Sequence, residues 1–230
     1  MISRIVSATE YYDHVASSYN DHQTANDRMV REEVSSIFRQ YVSYGNVLDF
    51  GGGTGLDLPW LVREGYYVYF LEPSVHMRTI AKQIRLSFAD NMPMVFVEEM
   101  TDIFQWTPST LPFYEKMSGI LLNFAVLNSI NQLIIFFRNI SMVCKRDTFL
   151  VMTLVSSQPK NILKNYGASQ WIRQLIKGKS VIETHYNDMI HQTFLYSVHI
   201  IKKFAGRHFK FVSCRHIPNS DFMILILVAK

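Results

Sequence analysis

The chain has 230 residues, 48% hydrophobic, 13% aromatic and 18% charged, a balance that excludes intrinsic disorder and supplies a core. Its formal charge of +4, from 23 basic and 19 acidic residues, is too mild for a nucleic-acid footprint, and two cysteines, Cys144 and Cys214, are too few for a disulfide framework or a zinc cluster. The start, Met1-Ile2-Ser3-Arg4, has no apolar signal region, and the greasy run Gly119 to Phe137 is broken by Asn123, Asn128, Asn131 and Gln132, so neither a signal peptide nor a membrane span is expected. These features predict a reduced, cytoplasmic protein with one domain over 1–230.

Residues 1–40 read as helical and form an N-terminal cap. Val47-Leu48-Asp49-Phe50 is a strand that runs into Gly51-Gly52-Gly53-Thr54-Gly55. A helix follows, with Leu56, Trp60, Leu61 and Val62 on one side, and Gly65 stops it. Tyr67–Leu71 is a second strand, closed by Glu72 and Pro73, and Val75–Phe88 is helical in pattern. Further strands are expected at Val95–Val97, Gly119–Asn123 and Phe149–Val155, with a helix from Ser129 to Val143. Phe209–Cys214 and Met223–Ala229 are two more strands, joined by a linker too short for a crossover helix, so they pair antiparallel. Strand–helix alternation with near-continuous apolar strands predicts an α/β fold: a seven-stranded, mostly parallel Rossmann-like sheet with one antiparallel strand and helices on both faces.

Residues 156–192 are not needed by that sheet and read as a lid-like insertion. Within it, 158–179 carries Lys160, Lys164, Arg173, Lys177 and Lys179 and no acid, with apolar residues at helical spacing around Trp171 and Leu175. A basic amphipathic helix suits a membrane surface or a roof over a pocket, and its place in the chain favours the roof.

The glycine turn carries the chemistry. A phosphate-binding P-loop needs a Lys after its last glycine, and Leu56 stands there; a dinucleotide turn wants a small residue at the same position. Asp49, just before the turn, is unhelpful to a pyrophosphate and suits the ammonium and sulfonium of S-adenosylmethionine. Glu72, at the end of the next strand, is placed to accept both hydroxyls of a ribose.

Val47-Leu48-Asp49-Phe50-Gly51-Gly52-Gly53-Thr54-Gly55 resembles the first motif of the class I S-adenosylmethionine-dependent methyltransferases, and Glu72, Pro73, Ser74 and Met77 resemble the second. Met117 to Asn128, with its Asn123-Phe124 pair, is similar to the motif after the fourth core strand in the small-molecule branch. Tyr11-Tyr12-Asp13-His14-Val15-Ala16-Ser17-Ser18-Tyr19-Asn20 is similar to that branch's first helix, with Asn20 in place of the usual Asp. Lys145-Arg146-Asp147 stands where the family has a Gly-Gly turn.

The resemblance implies S-adenosylmethionine as cofactor, S-adenosylhomocysteine as product, and a small-molecule N or O acceptor. It implies a cofactor site of Asp49, Gly51, Gly52, Gly53, Glu72, Pro73 and Met77, and an acid at the adenine for which Asp102 with Ile103 is the best match beside Glu98, Glu99 and Thr101. It further implies that the Asn123 carbonyl touches the amino-acid end, that Phe124 and Tyr12 belong to the cofactor site, and that Tyr19 caps the cofactor. For Asn128 helix capping is the favoured role. Candidate catalytic groups are Tyr19 and the histidines His14, His185 and His191, a base being needed only where the acceptor must lose a proton. Rival readings are methylation of RNA or protein and a non-catalytic partner subunit. No metal or nucleic acid is expected, and membrane contact is the less favoured reading.

Overall fold

The computed structural model describes residues 3–87, 93–157 and 159–230, leaving aside the side chains of 159–161 and 164. Met1 and Ile2, Phe88 at the end of the expected helix, and the Lys160 and Lys164 side chains lie outside the described residues. After a two-residue strand β1 (Arg4–Ile5) come helices α1 (Ala8–Tyr19) and α2 (Ala25–Tyr41). Strand β2 (Asn46–Phe50), helix α3 (Leu58–Arg63), strand β3 (Tyr67–Leu71), helix α4 (Val75–Arg85) and strand β4 (Met94–Val97) follow. Next are β5 (Met117–Leu122), α5 (Leu133–Ser141) and β6 (Cys144–Val155). The chain continues through α6 (Pro159–Lys177), β7 (Lys179–Tyr186), β8 (Met189–Tyr196) and α7 (Val198–Ala205) to β9 (Phe209–His216) and β10 (Phe222–Ala229).

The seven expected strands form one sheet in the order β4-β3-β2-β5-β6-β10-β9. The first five run parallel, and β10 is antiparallel to both β6 and β9. Strand alternation sends Leu48, Ile120, Leu150 and Leu225 to one face and Val47, Phe70, Leu121 and Ile224 to the other. Phe136, Phe137 and Ile140 of α5 and Ile201 of α7 cover the first face; Val34 and Phe38 of α2 and Leu58 and Leu61 of α3 cover the second. Each face thus loses its apolar surface to a helix layer, worth about 25 cal/mol per Å² buried. Before the main run of β6, Asp147 takes φ +64, in the left-handed region that favours glycine.

The 156–192 segment differs from the expected helical roof. Its helix α6 is broken by Gly167 (φ 82, ψ 171) and turns Leu175 and Ile176 outward, 62% and 77% exposed. The rest is strand: β7 and β8 form a hairpin, and β1 adds to β8 in parallel, giving a second sheet. Asn187 (φ +54) and Asp188 make the two-residue connection, a turn type that asks for residues tolerant of positive φ.

Asn128 departs from the capping role. It is buried, its Nδ2 donates to the Phe194 carbonyl of β8 at 2.7 Å, and its Oδ1 accepts from the Val155 N–H of β6 at 3.0 Å. One side chain therefore bolts the small sheet to the large one. Asn128→Ala removes the partner of the buried Phe194 carbonyl, at about 1–3 kcal/mol, and that of the part-buried Val155 N–H, which costs less. We expect a lower Tm and faster hydrogen exchange of β8 amides; unchanged exchange in β8 would show that the bolt is not needed.

Candidate functional site

A cavity of about 470 Å³ opens at the carboxyl ends of β2, β3 and β5, where open α/β sheets bind ligands. The turn after β2 forms its floor. The N–H groups of Gly51 and Gly52 donate to the Leu71 carbonyl at 2.7 and 3.3 Å, drawing the turn onto the end of β3. Gly51 has φ +71, and a Cβ there would stand 2.7 Å from Val126 Cγ1. Gly53 has φ +58, and a Cβ there would meet nothing within 4 Å, so its peptide borders open space. Glu72 holds the turn in place: Oε2 accepts from the Gly53 N–H at 2.9 Å and Oε1 from the Ser74 N–H at 2.8 Å.

Burial pushes the Glu72 carboxyl above its usual range, against the lowering effect of those two bonds. Asp49 is more extreme. Burial, then the charge of Asp57, push its carboxyl well up, Arg31 opposes them, and Glu72 adds to the rise. Its Oδ2 is buried with no hydrogen-bond partner among the described residues.

Asp57 and Arg31 are site residues beyond those the sequence motifs mark. Both line the cavity, and Arg31 Nη1 sits 2.5 Å from Asp57 Oδ2. Trp60 Nε1 donates to Asp57 Oδ1 at 2.7 Å, and Asn123 Nδ2 to Oδ2 at 2.9 Å. An acid just beyond the last glycine was a usable local signal for Asp57. For Arg31, in the middle of α2, there was none.

After β5 the backbone is strained. Phe124 and Ala125 take φ +50 and +64 in succession, an uncommon state for residues with side chains. Asn123 supports it by accepting from the Phe124 N–H at 2.9 Å and from Thr153 Oγ1 at 3.0 Å. The Arg31 guanidinium lies 4.5 Å from the centre of the Phe124 ring.

Helix α1 is pinned over the cavity. Ser74 Oγ donates to Asp13 Oδ1 at 2.6 Å and the His76 N–H donates to the same oxygen at 3.2 Å, which docks α1 on the first turn of α4. Thr54 Oγ1 donates to Asn20 Oδ1 at 2.6 Å, so the amide at Asn20 still serves as an acceptor for the turn. Tyr12 and Tyr19 line the cavity with their phenols raised by burial.

Pro73 and Met77 also line the cavity, as do Asp102, Ile103, Asn123 and Phe124. Asp102 accepts from the Phe104 N–H at 2.9 Å, capping a short 3-10 turn. The histidines separate. His14 is exposed, with Nδ1 2.9 Å from the Glu10 carbonyl, and His185 is exposed on β7; neither lines the cavity, so both leave the catalytic set. His191, on β8, is buried in the lining, stacked on Tyr11 with ring centres 4.8 Å apart. The roof therefore comes from β1, α1 and β8, and none of the described side chains of α6 lines the cavity; its Leu175 and Ile176 point outward.

The methyltransferase-domain family model matches residues 21–217. The chain belongs to that family, and its fold is that of the class I, Rossmann-like methyltransferases. An uncharacterized methyltransferase of Bacillus mycoides strain KBAB4 is 56% identical over 41 residues, 18% of this chain and 19% of that one, so the chain matches about a fifth of that relative's length. A protein of Pyrococcus horikoshii OT3 superposes with a TM-score of 0.68 at 17% identity, covering 96% of this chain and 99% of its own. The 1,6-didemethyltoxoflavin-N1-methyltransferase of Burkholderia thailandensis, with 1,6-didemethyltoxoflavin and S-adenosylhomocysteine bound, superposes at 0.63 with 14% identity, covering 99% and 93%.

The Asp49 carboxyl has a folded pKa above its unfolded one, so the native state holds its proton more tightly. Its contribution to stability therefore falls as pH rises from the ordinary carboxylate range through the raised value. Asp49→Asn removes the buried charge. We expect it to raise the Tm of the ligand-free protein at pH 8, by about 2–4 °C for each kcal/mol recovered. The gain shrinks as pH falls toward the ordinary carboxylate range; a lower Tm at pH 8 would contradict this account of Asp49.

Proposed function

We propose that this protein transfers the methyl group of S-adenosylmethionine to a small-molecule acceptor. The observation that carries the reading is an unpartnered buried oxygen on Asp49 beside a glycine turn clamped by Glu72. That pair fits the ligand. A buried carboxylate oxygen lacking a partner suits a cationic group and repels a pyrophosphate. Glu72 uses one acceptor position on each oxygen, and an ionised carboxylate has about four, so it retains capacity for ribose hydroxyls.

When bound, S-adenosylmethionine supplies an electrophilic methyl on a positively charged sulfur. Glu72 and the turn would hold its nucleoside, Asp102 and Ile103 would border the adenine, and Asp49 with Asn123 would meet the amino-acid end. Tyr12 and Tyr19 would close over it from α1. The protein's task is then to fix the acceptor in line with the methyl and keep water out.

A volume of about 470 Å³ lies in the usual range of small-ligand pockets, and the mild net charge does not favour a polyanion. The Burkholderia protein of the same fold, which holds a small-molecule acceptor, supports the same reading. Among the described residues no helix is long and apolar enough to cross a membrane, and a cytoplasmic location is part of the proposal.

Titration calorimetry with S-adenosylmethionine tests it. The wild type binds, and Glu72→Ala weakens binding by about ten- to several-hundred-fold, as the loss of charge-assisted bonds worth roughly 1.5–3 kcal/mol each requires. No heat and no thermal shift at millimolar ligand would defeat the proposal; equal affinity in the variant would move the ribose elsewhere.

A further inference from the structure

The cavity lining is electrically divided. Its charged side chains, Arg31, Asp49, Asp57, Glu72 and Asp102, come from α2, the sheet ends and the loops that follow them. The wall built by 5–9, 129–132 and 191–194 contains no Asp, Glu, Lys or Arg. Its surface is Val6, Ile130, Phe194 and the ring of His191, with Asn131 and Gln132 at the polar margin.

His191 is 5% exposed and is oriented by rings: Tyr11 stacks on it, and Tyr12 meets it edge-on with ring centres 5.6 Å apart. Among the described residues neither of its ring nitrogens has a hydrogen-bond partner.

Resting on the methyl-transfer reading, we propose that the acceptor is a neutral, planar aromatic molecule bearing an O–H or ring N–H, and that His191 takes its proton. The Lys179 ammonium packs on this wall from outside the lining, 4.2 Å from the centre of the Phe194 ring, and donates to Asn131. A cationic acceptor would meet it as a like charge, and an acceptor of either sign would be desolvated without a counter-charge in the wall's own lining, whereas a flat ring gains stacking and apolar burial. The acceptor's O–H or N–H bond breaks and its proton passes to an imidazole nitrogen of His191. The freed electron pair forms the bond to the methyl carbon, and the C–S bonding pair leaves on sulfur. One positive charge is lost at sulfur and one appears on the imidazolium, so charge balances. Burial holds the imidazole below its ordinary 6.5, which keeps it neutral and able to accept at physiological pH. The titratable groups packed around it are Tyr11 and Tyr12 from α1, with Tyr186 of β7 edge-on to Tyr11.

The test uses the full chain and three probes: 7-hydroxycoumarin as the neutral planar phenol, 4-hydroxybenzoate as an anion and tyramine as a cation. At pH 6.5, 7-hydroxycoumarin binds at least tenfold more tightly than either charged probe, and its addition shifts the His191 imidazole resonances of the wild type. With an accepted phenol, His191→Gln lowers kcat by about 10²–10⁴-fold at neutral pH and abolishes the fall in rate toward acid, while S-adenosylmethionine affinity stays within about twofold. Equal or tighter binding of a charged probe, an unmoved His191 resonance, or a variant with the wild-type pH profile would overturn the proposal. Calorimetry with S-adenosylmethionine on the same protein keeps the two readings apart: probe binding without cofactor binding defeats methyl transfer and leaves the neutral aromatic pocket standing.

Discussion

The site depends on two hydrogen bonds to one carboxylate. Glu72, at the end of β3, accepts from the peptide of Gly53 and from that of Ser74. The first bond fixes the turn after β2; the second fixes the residue that caps α4, since Ser74 Oγ accepts from the Met77 N–H at 3.1 Å. Ser74 in turn donates to Asp13, so the same carboxylate is two bonds from the helix that roofs the cavity. The turn, the helix start and the roof are therefore set by a single buried acid. Such an acid is costly to bury unless it is hydrogen-bonded, and each of its oxygens has a backbone donor.

A second support runs through Asp57. It gathers Arg31 from α2, Trp60 from α3 and Asn123 from the end of β5. Asn123 also holds the Phe124 peptide, which sits in a left-handed conformation beside the cavity. Backbone strain of about 1–3 kcal/mol per residue persists only where the surroundings over-determine it. Here the Asp57 cluster does so, and Arg31 over the Phe124 ring adds a further contact.

The large sheet was legible because its strands are buried on both faces and so read as short apolar runs between turn residues. Asp49 and Glu72 were legible because their places are fixed by strand ends, which local sequence shows. The small sheet was harder to see. β7 and β8 mix polar and apolar residues, their Asn187-Asp188 connection is short, and the basic residues of 158–179 drew attention to the helix alone. Sorting the histidines required side-chain direction: His185 and His191 lie on paired strands of the same hairpin, one exposed and one in the cavity. Arg31 with Asp57, and Asn128 with Phe194, are contacts between distant parts of the chain that no local pattern encodes.

In the proposed complex Glu72 and the glycine turn grip a nucleoside while β1, α1 and β8 close over the reacting end. A crystal structure of the protein with S-adenosylhomocysteine tests it most directly. We expect both ribose hydroxyls within about 3 Å of the Glu72 carboxylate, the amino-acid end against Asp49 and Asn123, and the sulfur facing the uncharged wall that contains His191. A nucleoside bound elsewhere, with Glu72 touching only Gly53 and Ser74, would contradict it.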